Sequence, residues 1–481
     1  MHPTVFSEPQ PHTFTVFNPS TQESLAHVPD SSLEQTRNII DRSLHAFSSW
    51  RHKTARERSQ LLRKWADLLT HNTDYLAGVM TLEQGKPLAE ARGEVTYGTS
   101  FVYWFAEEAI RSYGDVHPPM APNQRIMVWK QPVGVAACIT PWNFPLAMIT
   151  RKAGAALAAG CTMIVKPSAE TPLTALAMAE LAYQAGIPED VLPVITASHE
   201  TSPTVGKELA TNPKVSKLSF TGSTAVGKQL LGLAANNVKR VSMELGGNAP
   251  FIVFDDADID AAVSGAIASK FRNAGQTCVC ANRFFVQSGV YDEFMTKLKR
   301  EIEKLPVGDG FKDGVAIGPL INEAAVRNVT RLVIDAQRHG ARILAGGMKH
   351  PLGGNFFYPT LVADVKAQSQ LFCEEIFGPI AAVSKFTSDD DIVRMANSTH
   401  AGLVAYFYSQ DLRRIWKTAE LLEYGMVGVN TGIISTEVAP FGGVKESGMG
   451  REGSRYGMAE YEELKYVLLD MGKQFGETTQ Q

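Results

Sequence analysis

The sequence predicts an α/β fold in which parallel sheets are covered by helices. Two observations carry this. Short strand-like runs alternate with helical segments from about residue 130 onward, and at 481 residues the chain has core enough for two or three domains. Ahead of the alternation, 33–50 and 55–72 read as amphipathic helices, the second opened by Thr54-Ala55-Arg56-Glu57 at capping-box spacing. The first strand-like runs are 133–139 and 161–165. Thr171 as N-cap, Pro172 as first helical residue and Gly186 as a left-handed stop then bracket an alanine- and leucine-rich helix. Residues 218–220 lead into a helix from about Thr224, and 251–254 into a helix over 259–273. Two further helices, 291–304 and 322–339, extend the pattern into the second half. No internal repeat or low-complexity tract interrupts it, and the polar tail 472–481 is expected to fray.

Composition narrows the function. The chain is 44% hydrophobic and 20% charged, with a net charge of −4, so nothing favours electrostatic binding to nucleic acid or anionic lipid. The first residues carry neither a secretory apolar run nor an arginine-rich transit pattern, and no apolar stretch approaches a membrane span. Cys138, Cys161, Cys278, Cys280 and Cys373 form no paired framework, which predicts free thiols and a cytoplasmic location.

The chemistry gathers around Cys278, in Phe271-Arg272-Asn273-Ala274-Gly275-Gln276-Thr277-Cys278-Val279-Cys280. A thiolate is a soft nucleophile toward a carbonyl, and Gly275 lets the backbone approach a ligand. Glu244, thirty-four residues upstream in Met243-Glu244-Leu245-Gly246-Gly247, is a carboxylate that could take the thiol's proton or activate a water. Asn143, between Pro141 and Pro145, is a candidate oxyanion donor, with an Asx turn as the competing use. Cys280 could join Cys278 in a reversible disulfide if the loop bends. Residues 222–229 nearly match a phosphate-binding P-loop, but Gln229 replaces the hydroxyl that would hold magnesium. What remains is a strand, a Gly222-Ser223 turn and a helix N-terminus, still suited to a pyrophosphate. The usual dinucleotide glycine fingerprint, paired zinc-ligand spacing and the serine-hydrolase elbow are all missing from the sequence.

Pro141-Trp142-Asn143-Phe144-Pro145, Lys166-Pro167-Ser168, Phe220-Thr221-Gly222-Ser223, the Glu244 segment, the Cys278 segment and Glu375-Ile376-Phe377-Gly378-Pro379 occur in the order that resembles the aldehyde dehydrogenase superfamily. The resemblance runs over nearly the whole chain. It is nearest to the succinate-semialdehyde dehydrogenase group, through residues 148–152, 269–282 and 440–448. It implies that Cys278 attacks the aldehyde, that Asn143 and the Cys278 N–H hold the oxyanion, and that Glu244 activates the hydrolytic water. It also implies that Trp142, Lys166, Ser168, Ala169, Gly222, Ser223, Glu375 and Phe377 hold a nicotinamide dinucleotide, with Lys166 on the adenosine ribose and Ser223 on the pyrophosphate. Arg151, Arg272 and Ser435 match the clamp for the substrate's distal carboxylate, a task suited to the planar guanidinium; an internal ion pair is the alternative for either arginine. Glutarate semialdehyde, longer by one methylene, is the nearest competing substrate. Ala169 stands where many NAD-specific relatives carry a glutamate, with Glu170 one place later, so NADP is expected to be preferred over NAD, and no metal is expected.

The implied architecture has a dinucleotide-binding α/β domain (1–111 and 132–245), a catalytic α/β domain (246–457) and a small β oligomerisation element (112–131 and 458–481). An exposed strand in that element predicts a homodimer or homotetramer. Two rival readings are a catalytically silent binding or structural relative, and an esterase acting through the same thiol without cofactor.

Overall fold

The computed structural model describes residues 5–472. Two largely parallel sheets organise it. The first runs Gly448–Met449, Arg240–Glu244, Val215–Thr221, Val135–Ile139, Thr162–Lys166; only the two-residue edge strand is antiparallel. The second has seven strands with Ala249–Val253 and Ala281–Gln287 near its centre, and is parallel apart from the Arg342–Ala345 edge. This is the predicted α/β class. Val135–Ile139 reads Val-Ala-Ala-Cys-Ile without polar alternation because helices cover both of its faces. One apolar core surrounds the second sheet through Phe251, Phe284 and Val383, and another packs Trp65, Phe105 and Met163 between helices and the first.

The helices Leu33–Trp50 and Ala55–His71 form as expected, each opened by a complete capping box, at Ser32/Gln35 and at Thr54/Glu57. Two expectations need correction. The Pro172–Gln184 helix begins at Pro172 and is followed by Gly186 at φ +97°, but the Thr171 hydroxyl caps nothing. Glu83 instead accepts from the Leu173 and Thr174 N–H groups, each at 2.7 Å. Its two oxygens take the place of the hydroxyl at the helix N-terminus, and burial pushes the Glu83 acid up to about 8. The 259–273 helix also stops early, at Phe271. Asn273, Ala274 and Gly275 follow in the left-handed region at φ 53°, 53° and 75°.

A third sheet joins the segment 115–132 to the C-terminal strand. Asp115–His117 and Glu462–Asp470 pair antiparallel with the two sides of Gln124–Pro132. The predicted tail, beyond Gly472, lies outside the described residues.

Candidate active site

Four adjacent parallel strands of the first sheet end on one cleft of about 430 Å³. Val135–Ile139 leads to Thr140, Trp142 and Asn143, and Thr162–Lys166 ends on Lys166 and leads to Ser168 and Ala169. Val215–Thr221 leads to Gly222 and Ser223, while Arg240–Glu244 ends on Glu244 itself. Cys278, Glu375 and Phe377 form the opposite wall. Every residue expected to be catalytic or to touch a dinucleotide therefore lines one cavity, at the carboxyl ends of parallel strands where α/β sheets bind ligands.

Cys278 follows the left-handed turn, and its carbonyl packs on Gly247, where a Cβ would come within 2.5 Å. Burial first, then the Glu375 charge, pushes the thiol up to about 12, against the pull of Arg151 and Arg272. At rest it is protonated, so attack needs a base. Glu244 is 3% exposed and neither carboxylate oxygen has a hydrogen-bond partner among the described residues. Burial, reinforced by Glu452, raises its pKa well above the usual carboxylate range. A Cβ on Gly442 would lie 2.9 Å from Glu244 Oε1, so the glycine keeps that space open.

Asn143 is not turned back on its own backbone. Its amide donates to the Gln276 carbonyl at 3.0 Å, and its Oδ1 has no partner among the described residues. Its main-chain carbonyl accepts from Lys86 Nζ at 2.8 Å and Asn273 Nδ2 at 2.9 Å. Lys86 is ion-paired with buried Glu94, which also accepts from the N–H groups of Leu146 at 2.9 Å and Ala147 at 3.2 Å. Sequence reasoning missed Lys86, Glu94 and Asn273. The available signal was a charge at Glu94 on a helix stripe otherwise built from Ala91, Val95 and Gly98, since a charged side chain on an apolar face marks a buried pair.

Arg151 and Arg272 differ. Arg151 is buried and ion-paired with Glu452, which also binds Lys152; the guanidinium stacks over Phe441 at 4.1 Å. Lys152 donates onward to Thr221 Oγ1 at 2.7 Å, on the cleft wall. Glu452 and Lys152 were also not foreseen as site residues. Arg272 is half-buried, stacks over the Phe144 ring at 5.4 Å and makes no ion pair among the described residues. The Tyr97 phenol is hydrogen-bonded to Arg151 and Ser435 and lies within the field of the Arg272 charge, so all three expected clamp residues act on it. Both arginines also act on the Cys278 thiol. Cys280 is a free, buried thiol that donates to the Ser269 carbonyl at 3.0 Å, and a bridge to Cys278 would have to break that bond.

The rest of the cleft fits a dinucleotide. Ser223 N-caps the Thr224–Ala234 helix, accepting from Val226 N–H at 3.4 Å, and so presents a helix N-terminus to the cavity. Trp142 and Phe377 meet edge to face at 5.5 Å. Glu375 accepts from Gly247 N–H at 2.9 Å and is pushed up to about 7 by burial. Burial pushes Lys166 down to about 8, and among the described residues its Nζ is bonded only to the Pro167 carbonyl, at 3.0 Å. Glu170 accepts from Asn322 Nδ2 at 2.7 Å and is absent from the cavity wall, whereas Ala169 is on it. Among the described residues no cluster of His, Cys, Asp and Glu could hold a metal ion.

The chain is 56% identical to the NADP(+) succinate-semialdehyde dehydrogenase of Escherichia coli over 456 residues, covering 95% of this chain and 94% of that one. It is 55% identical to the glutarate-semialdehyde dehydrogenase of Pseudomonas aeruginosa, over 95% and 94% of the two chains. The crystal structure of succinate-semialdehyde dehydrogenase from Burkholderia pseudomallei superposes with a TM-score of 0.94 at 54% identity, over 97% and 98% of the chains. A sequence model described as "Aldehyde dehydrogenase family" matches residues 6–467. Matched by that model over nearly its whole length and by these relatives at more than half identity, this chain belongs to the aldehyde dehydrogenase family.

Proposed function

We propose that this enzyme oxidises succinate semialdehyde to succinate with NADP, accepting NAD less well. The observation that carries the substrate is the pair of guanidinium charges, Arg151 and Arg272, both of which act on the Tyr97 phenol and on the Cys278 thiol. An aldehyde held at Cys278 with its far carboxylate on Arg272, and Ser435 beside it, matches a short semialdehyde. Glu452 already engages Arg151, so Arg272 is the principal clamp and Arg151 a supporting charge. The Escherichia coli and Pseudomonas aeruginosa relatives are named for semialdehydes that carry just such a distal carboxylate.

Glu244 takes the thiol proton, and the Cys278 sulfur adds to the aldehyde carbon. Asn143 turns its amide from Gln276 to the developing oxyanion, beside the Cys278 N–H; one such donor is worth about 3–4 kcal/mol. When bound, the nicotinamide supplies the hydride acceptor that converts the hemithioacetal to a thioester. Glu244 gives up the thiol's proton to solvent and, ionised again, deprotonates the water that releases succinate. Lys166 and Glu375 hold the ribose hydroxyls, and Ser223 and Gly222 the pyrophosphate. Ala169 leaves room for a ribose 2′-phosphate next to Lys166 and Ser168. Five free thiols support a reducing, cytoplasmic setting. The outer sheet supports a homodimer or homotetramer.

Comparing kcat/KM for succinate semialdehyde and for butanal, while following NADPH formation, tests this reading. The acid is expected to win by roughly 2–3 kcal/mol, the value of charge-assisted hydrogen bonds. Equal rates would make both arginines structural. A faster reaction with glutarate semialdehyde would pass the assignment to the longer substrate.

A further inference from the structure

The adenosine end of the cleft contains an ionisable side chain to which the reading above gives no task. His199 lines the cavity with Lys166, Ser168 and Ala169, three residues before the Ser202–Thr211 helix. Its Nε2 lies 3.3 Å from Glu170 Oε1, the same oxygen that Asn322 holds at 2.7 Å. Its side chain is 75% exposed, so it is free to turn toward a ligand.

We propose that His199 gates Glu170: protonated, it neutralises that carboxylate and donates to the 2′-phosphate of NADP; neutral, it leaves Glu170 to repel the phosphate. Cofactor choice then depends on pH. The inference rests on the reading that the cleft takes NADP. Asn322 anchors Glu170 just outside the wall, where its charge acts on a phosphate beside Ala169 without touching a ribose that lacks one. The charged groups facing His199 are Glu170, from the turn before the Pro172–Gln184 helix, and Lys166, from the end of its strand; Glu200 adjoins it in sequence. The Glu170 hydrogen bond raises the imidazole pKa above 6.5 and the Lys166 charge opposes this. NADP preference is therefore greatest at low pH and falls as pH rises through that raised value. The phosphate itself, with a second pKa of about 6, is mostly dianionic across this range.

Calorimetric titration of the intact protein with NADP and with NAD, from pH 6.5 to 8.5 in buffers of different ionisation heat, reads both affinity and proton uptake. In the wild type, NADP binding is expected to take up more protons than NAD binding. The NADP-to-NAD affinity ratio is expected to fall about fivefold over the range, as suits an exposed charge pair. His199→Gln should flatten the ratio at its low value, and Glu170→Gln should raise it at pH 8.5. Lys166 titrates nearby, at about 8, but is retained in both variants, so the difference from wild type isolates the histidine. An unchanged ratio and proton uptake in His199→Gln, with NADP still preferred, would overturn this inference alone. A wild type that prefers NAD at every pH would overturn the NADP reading as well.

Discussion

Glu244 carries a carboxylate with no hydrogen-bond partner on either oxygen among the described residues, buried at the end of a strand, and its pKa is raised first by burial and then by Glu452. Only the deprotonated form can accept a proton, so thioester hydrolysis should rise with pH through that raised value and fall away below it. Glu244→Gln should lower steady-state turnover by about 10²-fold or more. Intact-protein mass spectrometry of the variant separates the two tasks of Glu244: an acyl group on Cys278 marks hydrolysis as the step that depends on it most, and slow turnover without one marks the deprotonation of the thiol. The arginines separate by a different measurement. Arg272→Ala should cost roughly 2–3 kcal/mol in kcat/KM for the acid while sparing butanal, because it removes a charge-assisted contact and breaks no ion pair. Arg151→Ala leaves buried Glu452 with Lys152 alone, so it should also cost about 3 kcal/mol of stability, read as a lowered Tm. Equal Tm losses in the two variants would contradict that division of labour.

Among the elements, the left-handed turn Asn273–Gly275 bears most directly on the nucleophile. Gly275 packs on the Gly378 carbonyl, where a Cβ would intrude to 2.2 Å, so this turn ties the Cys278 loop to the Glu375–Phe377 loop on the same wall of the cleft. Gly275→Ala should therefore cost about 1–3 kcal/mol from strain alone, and should lower kcat along with Tm. A variant of wild-type Tm and kcat would show that the two loops move independently. This turn was not legible in the sequence. Residues 259–273 read as one helix because nothing local stops it at Phe271; the left-handed backbone is imposed by the distant Gly378 and by Asn143, whose carbonyl Asn273 holds. The same cause explains the Thr171 correction, where Glu83 arrives from a helix far back in the chain. Signals that stay within a few residues, such as the Thr54/Glu57 box and Gly186, were read correctly. The cleft residues were legible as motifs, but Lys86, Glu94 and Glu452 act through partners 57, 52 and 301 positions away, which no local pattern encodes.

Over the whole molecule, the outer three-stranded sheet is the feature a lone chain explains least well. Glu462–Asp470 pairs with Gln124–Pro132 along one side and leaves its other side as a nine-residue edge, long enough to recruit a further strand. Val116, Leu464 and Tyr466 are 79%, 71% and 58% exposed on this sheet, an apolar display that a second copy would cover. The element is not a loose appendage. Arg240 binds the Glu462 carbonyl, and Lys130 pairs with the Glu462 carboxylate at 3.3 Å, so the edge strand is fastened to the strand that ends on Glu244. Covering the sheet should therefore stabilise the catalytic framework as well as bury apolar surface. Sedimentation velocity at micromolar concentration is expected to show a dimer or tetramer. The double substitution Leu464→Asp with Tyr466→Asp should shift it to smaller species and lower Tm, because two buried carboxylates at such an interface are expensive to desolvate. A wild type that sediments as a monomer, or a double variant that assembles normally, would show that this edge faces solvent and that the apolar side chains on it serve another purpose.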